Sequence, residues 1–216
     1  ELNTVYRQSD KAFINVLDRI RTNTAGAAGL QLLNTRVGGE YEANGDLYIT
    51  LATKRDSVDF INEQRLSELP GEAICLTGNI EGEFPESSLP TSMKLELKPG
   101  AQVIFVKNDM EKRWVNGTLG TVSGIDMNGE LVHIVTEDGH EYDVEQALWS
   151  NVRYHYNEQE KKIEEEVLGT FTQFPIRLAW AITVHKSQGL TFSRAVIDFT
   201  GGVFAGGQTY VALSRC

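Results

Sequence analysis

Apolar and polar positions alternate along the chain in patterns that predict helices and strands in turn. Apolar residues recur at helical spacing over residues 10–21, and Ser9 stands before them as a good N-cap, so a helix is predicted there. Residues 22–45 lack sustained periodicity and predict mostly loop, with one short helix around residues 30–33. A β-prone run at 47–52 precedes an apolar helical stripe at 58–69, which predicts a strand, loop and helix unit.

The middle of the chain carries shorter β-prone runs with turn signals between them. Residues 70–97 are expected to be irregular because two prolines interrupt them, and a strand is predicted at 101–106. Beyond it, short strands at roughly ten-residue spacing are separated by turn dipeptides and are typical of a small β-barrel. The turn dipeptides are Asn116-Gly117, Asn128-Gly129 and Asp138-Gly139. We expect the barrel to span residues 117–168.

Two continuous apolar runs at 178–184 and 195–199 return near the end of the chain. Such runs fit central strands that are covered on both faces, which is typical of a parallel α/β sheet. The sequence therefore predicts one discontinuous α/β domain over residues 1–116 and 169–216, interrupted by the barrel.

Composition narrows the function classes. The chain has 216 residues, 41% of them hydrophobic, and a formal net charge of −10, which argues against a basic domain that coats nucleic acid. The absence of a membrane-spanning run, of a signal peptide and of paired cysteines favours a cytoplasmic protein without disulfides or zinc. The acidic run at 158–166 is expected to form a solvated arm or hairpin and not a metal site.

Both ends of the sequence suggest a piece of a longer polypeptide. The chain begins at Glu1 without an initiator methionine and stops one residue after Arg215, inside a predicted helix. A phosphate-binding loop requires a Gly-Lys pair followed by Ser or Thr, and none of the 20 glycines is followed by lysine. We therefore expect that the chain cannot be a complete ATPase.

The segment that follows the apolar run at 178–184 has the chemistry of a phosphate-handling loop. Residues 183–189 read TVHKSQG, so hydroxyl, imidazole, ammonium and amide groups crowd the end of a buried strand. Open α/β sheets bind ligands at the carboxyl ends of their strands. An ordinary strand-to-helix turn with solvated polar residues fits the same spacing, and spacing alone leaves both readings open.

Five segments resemble motifs of superfamily 1B helicases of the RecD/Pif type, in the same order. Residues 183–189 resemble motif V, and residues 210–215, which read YVALSR, resemble motif VI. Residues 6–9, which read YRQS, resemble motif IV with its arginine. The segments 51–62 and 107–122 resemble the family's next nucleic-acid-facing motif and the approach to its inserted barrel. The matches cover both ends and the middle of the chain.

The resemblance implies a second RecA-like motor domain, of the P-loop NTPase type but without a phosphate loop, with an inserted Src-homology-type barrel. In such motors ATP and Mg²⁺ are bound mainly by the N-terminal RecA-like domain of the same polypeptide. Arg7 and Arg215 are then the catalytic arginine fingers, because a permanently charged guanidinium stabilises charge on the transferred phosphoryl group. For an arbitrary arginine, a surface ion pair is the commoner role.

The resemblance also implies two sets of binding residues. Gln188, Gly189 and Gln208 are expected near the nucleotide, with a helix-capping role as the alternative for Gln208. Nucleic-acid contacts are expected from Thr53, Asn62, Thr183, His185 and Ser187. Thr53 also fits a simple cap, and the tryptophans fit core packing better than base stacking.

The implied function is that of an ATP-dependent DNA helicase, a hydrolase of DNA repair and recombination that moves 5′ to 3′ on single-stranded DNA or at duplex junctions. The other superfamily 1 branch has the opposite polarity, and Gln188 and the small barrel speak against it. A catalytically silent nucleic-acid or protein adaptor is the alternative from a different class. Retention of Arg7 and Arg215 counts against that alternative.

Overall fold

The computed structural model describes residues 9–38, 47–158 and 160–215, and the elements given below lie within those ranges. The helices are α1 Lys11–Arg21, α2 Ala27–Asn34, α3 Arg55–Glu68 and α4 Gln208–Leu213. The strands are β1 Ile49–Ala52, β2 Ile74–Thr77, β3 Asn79–Gly82, β4 Lys94–Leu97, β5 Gln102–Phe105, β6 Leu119–Ile125, β7 Val132–Thr136, β8 Glu141–Val144, β9 Ala147–Asn157, β10 Lys162–Gln173, β11 Ile176–Leu178, β12 Ala181–Thr183 and β13 Ala195–Asp198.

The chain divides into two compact units, one of residues 1–63 with 180–216 and one of residues 64–179. These limits differ from the domain limits of the sequence analysis, which placed only residues 117–168 in the inserted part. Those narrower limits remain a prediction about where an inserted module begins and ends.

The first unit is built on a parallel sheet with the strand order β12-β1-β13, which confirms the predicted α/β class. Ala52 and Ala181 from the sheet pack against Val58 and Ile61 of α3 in a small apolar core. The cap of α1 differs from the expected Ser9. Asp10 is the N-cap because its carboxylate accepts hydrogen bonds from the backbone N–H groups of the first turn.

The apolar run at 178–184, expected to be one central strand, is two strands. β11 pairs with β5 in an antiparallel sheet of the second unit, whereas β12 pairs with β1 in the parallel sheet. The side chain of Gln102 donates to the carbonyl of Ala179 at 2.7 Å, where the first strand has ended. Both strands contain buried residues, and a continuous apolar run does not reveal a change of sheet between them.

The second unit is antiparallel. Its five-stranded sheet has the order β11-β5-β6-β7-β8, and within the described residues β8 and β11 do not pair to close it. The predicted barrel is therefore not confirmed, because strand spacing indicates an antiparallel sheet but does not determine whether its edges meet. The prediction that residues 70–97 are irregular is wrong, since β2, β3 and β4 lie there as strands of four residues each.

The acidic run at 158–166 lies at the end of a long ribbon formed by β9 and β10, as expected for a hairpin. One face of the ribbon exposes apolar side chains, including Tyr154, Tyr156 and Ile163. On the other face His155 and Glu164 lie 3.2 Å apart. Hydrogen bonding from Asn157, followed by the contacts from Lys162 and His155, lowers the pKa of the Glu164 carboxyl.

Candidate nucleotide and nucleic-acid site

The parallel sheet brings the segments after β1, β12 and β13 to one edge in the first unit. The last residue of β1, Ala52, is in register with Thr183 of β12 and with Asp198 of β13. The segments that follow the three strands therefore leave the sheet side by side. This is the edge at which open parallel sheets bind ligands.

The loop after β12 is a compact turn held by its own backbone. The N–H of Ser187 donates to the carbonyl of Thr183 at 3.1 Å, and the N–H of Leu190 donates to the carbonyl of Ser187 at 3.0 Å. Gly189 has a φ of +84°, a conformation that side chains disfavour, which explains glycine at this position. His185, Gln188 and Gly189 are exposed on this turn.

Ser187 and Thr183 both have partners within the loop. The Ser187 side chain is fully buried and its hydroxyl donates to the carbonyl of Val184 at 2.7 Å. The half-buried Thr183 hydroxyl accepts from the N–H of Lys186 at 3.3 Å. These bonds give both hydroxyls a role in shaping the loop, and their contacts with nucleic acid remain predictions.

Asn62 is bonded to the sheet at both ends of its amide. Its Nδ2 donates to the carbonyl of Ala181 at 3.0 Å, and its Oδ1 accepts from the N–H of the same residue at 3.0 Å. The side chain is buried. Asn62 therefore pairs with the edge of β12 as a further strand would, and its expected DNA contact remains a prediction.

Thr53 and Gln208 each carry a buried polar atom without a hydrogen-bond partner among the described residues. The Thr53 hydroxyl has none, so it does not cap α3 by a side-chain bond. The Oε1 of Gln208 accepts from the N–H of Phe204 at 3.3 Å, while its Nε2 has no partner. Buried polar groups normally have partners, so these two atoms are exceptions, and the expected ligand contacts of Thr53 and Gln208 remain predictions.

The guanidinium of Arg215 is buried and points into the loop after β12. Its Nη1 donates to the carbonyls of Ser187 and Leu190 at 3.3 and 3.4 Å. Its Nε donates to the carbonyl of Val211 at 2.9 Å, and its Nη2 to the Ser214 hydroxyl at 2.8 Å. Arg215 thus joins the two segments that resemble motifs V and VI. The other expected arginine finger, Arg7, lies outside the described residues.

Phe204 is a candidate that the sequence analysis missed. Its side chain is 66% exposed, and its ring centroid lies 5.7 Å from that of His185. The pair presents two aromatic rings at the exposed edge of the loops, a surface on which nucleobases stack. Residues 201–207 are rich in glycine, and the aromatic Phe204 among them was the feature of the sequence that could have indicated this candidate.

Two tryptophans have their ring faces covered in the second unit. The ring of Trp149 stacks on Phe171 at 5.7 Å and has the Lys107 ammonium 5.1 Å from its centroid. Trp114 stacks on Phe105 at 4.4 Å, with the Arg113 guanidinium 4.6 Å from its centroid. These contacts agree with the packing role.

The described residues hold no group of three or more His, Cys, Asp or Glu side chains that could bind a metal ion. None of the helices in the described part of the chain is long and apolar enough to cross a membrane.

No family model matches this chain. Searches of curated proteins and of solved structures both find Pif1 helicases that match it over nearly its whole length. The human ATP-dependent DNA helicase PIF1 is 34% identical over 221 residues, covering 100% of this chain and 33% of the relative. A Bacteroides Pif1 in complex with ADP-AlF4 is 36% identical with a TM-score of 0.82, over 99% of this chain and 48% of that one. A Bacteroides Pif1 bound to single-stranded DNA is 37% identical with a TM-score of 0.70, over the same shares.

The chain spans about a third of the human relative and about half of the two crystallised proteins. Its similarity is not confined to the motif segments, because each of these matches includes 99% or more of its residues. The homologues of this chain are Pif1 helicases of superfamily 1B, and they match it over its whole length.

Proposed function

We propose that this chain is the second motor domain, with its inserted module, of an ATP-dependent DNA helicase that moves 5′ to 3′ on single-stranded DNA. The similarity over the whole chain to Pif1 helicases, among them one solved with ADP-AlF4 and one with single-stranded DNA, carries the proposal. The cytoplasm is the proposed compartment.

In this proposal the edge of the parallel sheet in the first unit contacts DNA. His185 and Phe204 offer stacking surfaces, and the buried Thr53 hydroxyl has no protein partner among the described residues. Thr183, Ser187 and Asn62 are proposed as further DNA contacts. Each of these three also holds the local backbone through a hydrogen bond.

The nucleotide is proposed to meet this chain through Gln188, Gly189, Gln208 and the two arginines. ATP hydrolysis transfers the γ-phosphoryl group to water, and guanidinium groups of Arg7 and Arg215 would stabilise the charge that develops on its oxygens. Mg²⁺ and the phosphate loop would be supplied by the N-terminal RecA-like domain of the full-length protein. That domain is the proposed partner of this chain.

The full-length protein tests the proposal by unwinding. With ATP and Mg²⁺, duplexes that carry a 5′ single-stranded tail should be unwound, and duplexes with a 3′ tail should not. Arg7→Ala should reduce the rate by about 10³-fold or more, since an arginine finger contributes that much where measured. Unwinding only from the 3′ tail would assign the protein to the other superfamily 1 branch. ATP-independent DNA or protein binding without unwinding would favour the adaptor.

A further inference from the structure

The ribbon formed by β9 and β10 carries an exposed apolar stripe on one face. Cross-strand partners point to the same face of a sheet, and three such pairs form what we call the ribbon stripe. The pairs are Val152 with Val167, Tyr154 with Glu165, and Tyr156 with Ile163. Apart from the half-buried Val152, the apolar side chains of the stripe are 58–69% exposed. A contiguous exposed apolar patch is typical of an interaction site.

Glu165 lies at the centre of the ribbon stripe, opposite Tyr154, and has no ion pair among the described residues. Its neighbour Glu164, on the other face, does have partners, since its carboxylate lies 3.2 Å from His155 and 3.4 Å from Lys162. An exposed carboxylate within an apolar surface is complementary to a basic side chain that is likewise surrounded by apolar groups.

Charge disfavours nucleic acid and a second copy of this chain as the occupant of the ribbon stripe. Residues 153–166 contain more acids than bases, namely Glu158, Glu160, Glu164, Glu165 and Glu166 against Arg153, Lys161 and Lys162. This end of the ribbon therefore repels phosphate groups. Two copies related by a twofold axis through the stripe would bring Glu165 close to its own counterpart. Like charges that face each other across such a contact are destabilising.

The dimensions of the ribbon stripe fit a single helix. Neighbouring strands lie about 4.8 Å apart, so two strands with their side chains are about as wide as one helix, whose diameter is about 10 Å. From residue 152 to residue 156 the stripe is roughly 13 Å long at about 3.3 Å per residue. A helix rises about 10 Å between positions i and i+7. Such a helix can place apolar side chains at i, i+4 and i+7 on the stripe and a basic one at i+3 above Glu165.

We propose that the ribbon stripe is a docking site for an amphipathic helix of a partner protein, with a Lys or Arg at the centre of the apolar face of that helix. The stripe is small, which indicates a weak and transient complex. The proposal goes beyond helicase activity and uses none of the residues that are assigned to DNA or nucleotide.

Binding of a fluorescent helical peptide to the full-length protein, measured by anisotropy, tests the proposal. The peptide has about 15 residues, since shorter helices are marginal in water. It carries leucine at i, i+4 and i+7 and lysine at i+3, and a second peptide has glutamate in place of the lysine. The lysine peptide should bind the wild type about 10-fold more tightly than the glutamate peptide, and Glu165→Lys should reverse this preference.

Glu166→Lys is the matched control, because it makes the same change of charge at the next position, on the other face of the ribbon. It should keep the preference for the lysine peptide. Ile163→Ser should weaken binding of both peptides about 10-fold, since it removes an apolar contact from the stripe. A reversed preference cannot result from destabilisation of the ribbon, because a less stable ribbon would bind both peptides more weakly.

Equal binding of the two peptides, or no detectable binding of either, would overturn the proposal. A loss of affinity for single-stranded DNA in Ile163→Ser would assign the stripe to nucleic acid and would also overturn it. Dissociation of a wild-type dimer by the same substitution would assign the stripe to a second copy, with the same consequence. Absence of unwinding by the wild type is a separate result that concerns the proposed function alone.

Discussion

Some side chains that are proposed as DNA contacts also hold the fold. The family resemblance predicts Ser187 and Asn62 as nucleic-acid contacts, and the structure gives each of them backbone partners in buried positions. Polar residues near a ligand edge need such bonds because an unsatisfied buried polar group is costly. Sequence motifs therefore do not separate residues that touch a ligand from residues that hold the local backbone.

Asn62 provides a test of that distinction. Asn62→Ala should lower the free energy of unfolding by about 2–4 kcal/mol, because it leaves the N–H and the carbonyl of Ala181 without their side-chain partner. Urea titration followed by circular dichroism measures the change. Gln64→Ala on the exposed side of the same helix is the control and should change stability by less than about 0.5 kcal/mol. A loss of DNA affinity with unchanged stability would instead make Asn62 a direct contact.

His133 makes the stability of the second unit depend on pH. Hydrogen bonding to Asp143, at 2.7 Å from Nδ1, and to Asp126, at 3.1 Å from Nε2, raises the pKa of the imidazole. The contribution is fully present below the unfolded-state pKa of about 6.5 and is lost as pH rises through the folded-state pKa. Denaturation curves between about pH 5 and 9 should therefore show a decline in stability above about pH 6.5, which His133→Gln removes and Asp143→Asn reduces because Asp126 remains. Parallel pH profiles for all three proteins would contradict this assignment.

At the level of elements, β3 and β10 pair where their backbones lie too close together for a side chain at Gly169. Gly169 lies in β10 opposite Gly82 of β3, and the main chain of Glu83 passes directly beside it. A Cβ placed at Gly169 would lie 2.4 Å from the backbone nitrogen of Glu83 and 2.7 Å from the carbonyl oxygen of Glu81. Glycine is therefore required here by space, a requirement invisible in the alternation of the strand.

Gly169→Ala should destabilise the second unit by about 1–3 kcal/mol, because backbone atoms must shift to admit the methyl group. Thermal or urea unfolding measures the loss. Gly206→Ala is the matched control, since a Cβ there meets nothing within 4 Å, and it should be within about 0.5 kcal/mol of the wild type. Equal stabilities of the two variants would show that β3 and β10 separate without cost.

At the scale of the whole molecule, the net charge disfavours DNA binding, whereas the charge near the C-terminus is locally positive. The net charge of −10 disfavours binding through bulk electrostatics. From residue 171 onward, however, Arg177, Lys186, Arg194 and Arg215 stand against Asp198 alone. An acidic protein of this kind would bind DNA through individual basic, polar or aromatic side chains at one part of its surface. In the first unit, the ends of three parallel strands form the surface that we propose for this contact.

The sequence by itself determined the α/β class, the order of most elements and the segments similar to superfamily 1B helicases. These are local properties, since periodicity, turn dipeptides and motif residues are all read within a few positions. The division of the run at 178–184 was decided by pairing with distant segments, and so was β3, which pairs with β10. β2 and β4 pair with each other within residues 74–97. Sheet closure depends equally on contacts between strands far apart in the chain.

Only the tertiary structure decided what the site residues do to one another. The bonds from Arg215 to Ser187 and Leu190 join positions more than 20 residues apart, and the bonds from Asn62 to Ala181 span 119. Motif similarity assigned these residues to a site but not to each other, because hydrogen bonds between distant segments depend on how the chain folds. The pairing of His185 with Phe204 likewise exists only once two loops meet at the edge of the parallel sheet.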